Sequence, residues 1–412
     1  IGSGLVGSEM CIRDRVMKVL IINKFLYSRG GDCIYALNLS RLLCNAGHET
    51  CFYAMYYSHN IPCKESKYFA EEIDFSATNL FGKIKAVSRI IWGTGVTKSF
   101  EKLLDEFQPS IVYLNNIHSY LSPIVAKIAC KKGIKVIWTL HDYKLICPSY
   151  NCLCNGKVCE MCLTNKKNVV LRKCMKNNLL ASVLAWGEAV NWNKDKLSAW
   201  TDTFICPSHF MANKMQQGGY PADKLQVISN FIGEEQAEYI KTTTCPAQEK
   251  AYAYIGRLSR EKGIDSLLKA ASQLPYRLYI AGTGPLEAEL KKKYTANNIV
   301  FLGHLTMEDT INLLRKVCFT VIPSVCYENN PLSVIESLCC GTPVLGRDIG
   351  GIPELLESDN CNLLFTQDEE LPALITKMFD TVVSNNRNEL SATSLRRFSS
   401  EPVSYTHLTL PT

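Results

Sequence analysis

No apolar run in this chain reaches the roughly 18 to 20 residues that a membrane-spanning helix needs. No secretory signal pattern precedes Met17, so a cytoplasmic location is expected, with peripheral association at the inner membrane face as its extension. Charge of one sign is also scarce. Forty-five Lys and Arg against 39 Asp and Glu leave +6, which suits anionic substrates or an anionic membrane surface but is too diffuse for nucleic-acid recognition. What the chain has instead is length, a globular composition and cysteine: 412 residues, 47% apolar, 20% charged and 19 Cys. Single cores seldom grow past roughly 250 to 300 residues, so two domains are expected.

The apolar pattern supports that division. Runs at 19–22, 50–55, 111–114, 135–140, 203–206 and 226–228 read as buried strands, with helical patterns between them, notably 33–45 and 98–107. The theme repeats at 251–255, 277–281, 300–302, 319–322, 343–345 and 362–365. Each half reads as a parallel, doubly wound α/β sheet. The expected organisation is a first domain over 17–229, a linker over 230–250 and a second domain over 251–401. Residues 1–16 and 402–412 lack helical or strand period and resemble translated adaptor read-through. They are expected to be non-native flanks, with the second domain truncated.

Chemistry-bearing motifs concentrate in the second half. The strand ending at Ile322 leads into Pro323-Ser324-Val325-Cys326-Tyr327-Glu328-Asn329-Asn330-Pro331, then a helical pattern carrying Glu336. Asn330 suits an N-cap, Pro331 the first helical position and Gly341 the C-terminal stop. Free N–H groups and the positive end of the helix dipole favour an anion such as a diphosphate. Glu328 and Glu336 could accept sugar and ribose hydroxyls on either side of it. The alternative is a capped helix with a solvated Glu336. Upstream, Gly256-Arg257-Leu258-Ser259-Arg260-Glu261-Lys262-Gly263 sets a guanidinium and an ammonium in one turn, both suited to phosphate oxygens. The turn Gly282-Thr283-Gly284-Pro285 follows the next strand and is weak evidence by itself.

Together these motifs resemble the donor-binding half of the retaining GT-B glycosyltransferases of family 4, and the likeness runs from Met17 to about Phe398. The resemblance implies two Rossmann-like domains facing across a cleft. It also implies transfer of a hexose-like sugar from a nucleotide diphosphate sugar, of UDP or GDP type, to an acceptor hydroxyl on a glycan or lipid-linked glycan. Arg257 and Lys262 would contact the diphosphate, Glu328 the transferred sugar and Glu336 the ribose. Gly256, Gly282, Gly284, Asn329, Asn330, Leu332 and Ser333 would line the substrate site. In the first half, Gly30 and Gly31 match a loop near the donor phosphates, with a tight turn as the plain alternative. His141, ending the strand 135–140, matches a sugar-contacting histidine, with Asp142 as its orienting partner and His118 as a weaker acceptor-side candidate. The His-Asp-Tyr version resembles members that assemble envelope or capsular polysaccharide.

Two further features bear on cofactors. No Asp-x-Asp triplet occurs, so a catalytic divalent ion has no sequence candidate and side-chain cations are expected to stabilise the leaving group, with no catalytic cofactor. The loop 147–174 carries six cysteines, and Cys147, Cys159, Cys162 and Cys174 offer a structural zinc set around a Cys-x2-Cys pair. Unligated loop thiols are the alternative. Two other readings of the whole chain stand beside the transferase: a nucleotide-sugar 2-epimerase of the same fold, and a zinc-module binding protein.

Overall fold

The computed structural model describes residues 16–74, 80–357, 360–382 and 386–400. The expected flanks lie outside the described residues, Val16 excepted. Contacts divide the chain into two compact units, 1–140 with 190–205, and 141–189 with 206–412. The cysteine-rich segment therefore belongs to the unit that carries the second sheet.

All twelve expected strands form. In the first sheet they are β1 (Lys18–Ile22), β2 (Glu49–Tyr53), β3 (Ile111–Leu114) and β4 (Lys135–Thr139). A small hairpin, β5 (Leu153–Cys154) with β6 (Lys157–Val158), intervenes before β7 (Thr203–Cys206) and β8 (Leu225–Val227). The sheet order is β2-β1-β3-β4-β7-β8. Val19, Leu20, Ile21 and Ile22 are at most 1% exposed, which explains a continuous apolar run where a one-sided strand would alternate. Burying each such side chain stabilises by about 1.5–3 kcal/mol.

The second sheet contains β9 (Ala251–Ile255), β10 (Arg277–Ala281), β11 (Ile299–Gly303), β12 (Phe319–Ile322), β13 (Val344–Arg347) and β14 (Leu363–Phe365). Its order is β11-β10-β9-β12-β13-β14, and every pairing is parallel. The chain enters at β9, builds outward to β11, then crosses to β12 on the other side. The winding direction reverses between β9 and β12, and in such sheets the crevice beyond the strand carboxyl ends at that reversal is where ligands bind. Behind it, Tyr252 stacks on Phe319 at 5.3 Å and Phe319 meets Phe379 edge-on at 4.9 Å, anchoring both central strands in one core.

Two segments carry more structure than their sequence suggests. The expected linker 230–250 contains the helix Glu234–Thr242. The cysteine-rich insert leads into a 13-residue helix, Leu179–Asn191.

Candidate active site

Two loops leave the carboxyl ends of β9 and β12, and side-chain chemistry joins them. After β9 a single 3-10 turn, Arg260–Lys262, ends at Gly263 with φ +65°. A Cβ on Gly263 would sit 1.9 Å from the Pro323 carbonyl oxygen, so only glycine lets the loops touch. The Val325 N–H then donates to Glu261 O at 3.0 Å. Across this seam Lys262 Nζ lies 2.6 Å from Glu328 Oε1, and the Ser324 hydroxyl donates to the same oxygen. Glu328 is 8% exposed. Burial pulls the Lys262 ammonium down, but the Glu328 carboxylate outweighs it and leaves its pKa above the ordinary lysine value. The same carboxylate, added to burial, pushes the Cys326 thiol up to about 12. The Tyr254 hydroxyl holds the β9 turn by donating to Arg257 O at 2.8 Å. Arg257 is exposed, and its guanidinium makes no hydrogen bond or ion pair among the described residues.

At Gly282 and Gly284, expected to line the substrate site, the missing side chain has a packing use. Their Cβ positions fall 2.0 Å from Gly256 O and 2.4 Å from Leu258 O. They let the β10 loop close onto the β9 loop. Gly256 accepts this contact through its carbonyl, while its own Cβ position is 3.0 Å from the Tyr254 hydroxyl.

The helix after β12 spans Leu332–Cys339, with Pro331 rather than Asn330 at its cap position and no side-chain cap. Asn330 instead accepts from Ser229 Oγ at 3.1 Å and Asn230 N at 2.9 Å, and its carbonyl accepts from Asn230 Nδ2 at 2.7 Å. Its amide ties a distant segment to the loop, which is why it does not cap. The amides of Leu332 and Ser333 consequently make no hydrogen bond among the described residues. Those donors lie four and five positions past Glu328. Glu336 sits one turn further along, where Gln236 Nε2 donates to its Oε1 at 3.1 Å. Burial raises the Glu336 pKa above its ordinary value, against the lowering effect of Gln236.

Of the remaining candidates, His141 and Asp142 stand just beyond β4. Asp142 Oδ1 accepts from Lys144 N at 2.9 Å, turning the chain into the cysteine-rich insert. In the first unit, Gly30 caps the helix Gly31–Asn45 with extended backbone, φ −174°. Its Cβ position is 3.6 Å from the nearest atom, Asp32 Oδ1, so the fold itself does not require glycine there. His118 stacks on Trp138 with ring centroids 5.4 Å apart.

In the insert, Cys147 donates to or accepts from Ser149 Oγ at 3.1 Å. A hydrogen bond from Cys152, with Ser149 adding to it against burial, brings the Cys147 thiol down to about 6. Burial and a bond to Cys154 push Cys174 up to about 12, and burial with the nearby Cys147 does the same for Cys162. Cys147, Cys152, Cys154, Cys162 and Cys174 thus act on one another electrostatically within the insert. Among the described residues no group of three or more His, Cys, Asp or Glu is arranged to hold a metal ion, so the zinc reading gains no support from this geometry.

One network beside Glu328 carries no motif. The Tyr327 hydroxyl donates to Glu160 Oε1 at 2.6 Å, Lys214 Nζ lies 2.5 Å from that oxygen, and Phe210 packs on the Tyr327 ring at 4.7 Å. The insert thereby braces the residue next to Glu328. Ser324 and Gln236 were missed as well. Ser324 lies four positions from its partner, whereas Gln236 and Glu336 are 100 apart.

Comparison with known proteins agrees with the fold. The family described as Glycosyltransferase Family 4 matches residues 29–236, just over half of the chain, and Glycosyl transferases group 1 matches 235–393. An uncharacterized 42.6 kDa protein in the cps region of Klebsiella pneumoniae is 26% identical over 357 residues, covering 82% of this chain and 87% of that protein. Among solved structures, Anabaena HepE in complex with UDP-glucose is 16% identical with a TM-score of 0.62, covering 95% of this chain and 98% of that one. Sucrose-phosphate synthase from Thermosynechococcus elongatus gives 16% and 0.65, covering 95% and 97%.

Proposed function

The chain belongs to glycosyltransferase family 4, a glycosyltransferase of GT-B fold, and on that premise we propose that it moves a hexose-like sugar from a nucleotide diphosphate sugar to an acceptor hydroxyl. The observation that carries the proposal is the seam at the reversal of the second sheet. There Lys262 is paired with Glu328, which precedes the unbonded amides of Leu332 and Ser333 by four and five positions.

In this reading Arg257 and Lys262 neutralise the diphosphate as the glycosidic bond to it breaks, assisted by the helix-start amides. Glu328, held by Ser324 and Lys262, accepts hydroxyl hydrogens of the transferred sugar. Glu336 accepts those of the ribose. His141 contacts the sugar, and Gly30, Gly31 and His118 serve the donor phosphates and the acceptor side. The proposal extends to retention of anomeric configuration and to leaving-group stabilisation by side-chain cations in place of a divalent ion. A UDP or GDP donor, a glycan or lipid-linked acceptor and a setting in envelope or capsular polysaccharide assembly complete it. HepE bound to UDP-glucose supports the donor class, and the cps-region relative supports the setting.

A thermal-shift screen of nucleotide diphosphate sugars tests the reading. A true donor at 100 times its dissociation constant adds about 2.7 kcal/mol of stability. Failure of every UDP- and GDP-sugar to raise the melting temperature would remove the proposed donor class. Conversion of a nucleotide sugar to its 2-epimer without acceptor would favour the epimerase instead.

A further inference from the structure

The helix Leu179–Asn191 is turned inside out. Its inward face carries Ser182, Ala185 and Glu188, which are 0%, 4% and 5% exposed. Glu188 is neutralised there by Lys144, 2.8 Å away and itself largely buried. The outward side carries Leu179, Leu180 and Val183 at 50%, 79% and 42% exposure, and Leu171 just upstream is 77% exposed. A helix on a water-facing surface ordinarily has the opposite arrangement, because each solvated leucine forgoes the stabilisation of burial. Four exposed apolar side chains within thirteen residues of chain mark an interaction surface.

Charge in the same segment indicates what covers it. Between Glu160 and Glu188 there is no Asp or Glu, but there are five cations, Lys166, Lys167, Arg172, Lys173 and Lys176. Lys166 is engaged by the Ile146 carbonyl. Lys167, Arg172, Lys173 and Lys176 make no ion pair among the described residues, and all four are exposed. Lys173 and Lys176 lie in left-handed turns, φ +48° and +53°, that place the basic run directly before the leucines. A second protein surface would be expected to meet a self-complementary or mixed patch. Apolar side chains flanked only by unpaired cations instead match a bilayer, whose acyl boundary accepts the leucines while anionic headgroups take the cations.

We propose that residues 166–183 form a docking surface for an anionic phospholipid bilayer, seated through Leu171, Leu179, Leu180 and Val183 and steered by Lys167, Arg172, Lys173 and Lys176. The inference is independent of the donor assignment. It concerns surface residues that take no part in the candidate site.

Vesicle co-sedimentation of the full chain tests it. Phosphatidylcholine vesicles containing about 30% phosphatidylglycerol should sediment the protein, with binding that weakens as salt is raised, whereas pure phosphatidylcholine should bind at least tenfold less. Leu180→Asp and the triple variant Arg172→Gln, Lys173→Gln, Lys176→Gln should each lower binding at least tenfold. Both change exposed side chains, so unchanged circular dichroism and melting temperature are expected. Failure of the wild type to sediment with anionic vesicles overturns the proposal, as does undiminished binding by both variants. Light scattering addresses the other occupant: a wild-type dimer that Leu180→Asp converts to a monomer would make this face a self-interface and overturn the bilayer assignment.

Discussion

Lys262 and Glu328 stand 66 residues apart in the chain and 2.6 Å apart in space, closing two loops at the reversal of one sheet. The pair has a consequence for mutagenesis. Lys262→Met leaves Glu328 buried without its cation, which should cost about 1–3 kcal/mol of stability in addition to any loss of transfer. Lys262→Met with Glu328→Gln should regain most of that stability while remaining inactive. Chemical denaturation of the two single variants and the double variant measures the coupling, and additive losses would show that the pair is not an energetic unit.

Glu336 should behave in the opposite sense. Its pKa is raised by burial, so the protonated carboxyl is the form the fold favours. The associated stability is complete below the ordinary value of 4.5 and is lost as pH rises through the higher folded pKa. Glu336→Gln, which removes the charge, should therefore leave the ligand-free protein at least as stable as wild type at neutral pH. It should weaken nucleotide binding, by about 1–3 kcal/mol if a charged hydrogen bond to ribose is lost. Wild-type nucleotide affinity should fall on acidification with a midpoint above 4.5. Calorimetric titration across pH checks both, and a flat profile would separate Glu336 from the ribose.

Two glycines divide folding from ligand contact. Gly263→Ala sets a Cβ against Pro323 O at a left-handed φ, so it should destabilise by more than about 1 kcal/mol. Gly30→Ala has room and ordinary backbone, so its stability should be unchanged. A loss of transfer in Gly30→Ala at unchanged melting temperature would then report a ligand close to that backbone. Full activity would make the Gly30 loop a plain helix start.

The cysteines of the insert carry a prediction about metal content. If Cys147, Cys159, Cys162 and Cys174 form a structural set, protein purified without chelator should carry about one zinc per chain by elemental analysis, and less than about a tenth of a zinc with the fold intact would leave them as loop thiols. Transfer should need no added divalent ion, since the proposed leaving-group stabilisation comes from Arg257 and Lys262.

The sheets were legible because their strands are buried on both faces and stand out as unbroken apolar runs, as Phe319–Ile322 does. The sequence also placed Lys262 and Glu328 at strand ends, since both lie within a few residues of such runs. It could not show that they meet, because pairing of β9 with β12 depends on a crossover through two intervening strands. Asn330 was misread for a related reason: its local cap preference lost to partners at Ser229 and Asn230, about a hundred residues away. The inverted helix Leu179–Asn191 was invisible too, since an apolar period tells where a stripe lies but not which side faces the core. Tyr327 carried no motif signal, and its bond to Glu160 follows from the way the insert folds.

In the proposed function, cations on the β9 loop hold the donor diphosphate. Equilibrium titration of UDP- and GDP-sugars into wild type, Arg257→Ala and Lys262→Ala, followed by transfer rates with the sugar that binds, tests it most directly. Saturable binding by the wild type is expected, with a transfer loss of about 2–4 kcal/mol, roughly 30- to 1,000-fold, in each variant. Near-normal transfer in both variants, with the fold intact, would contradict it.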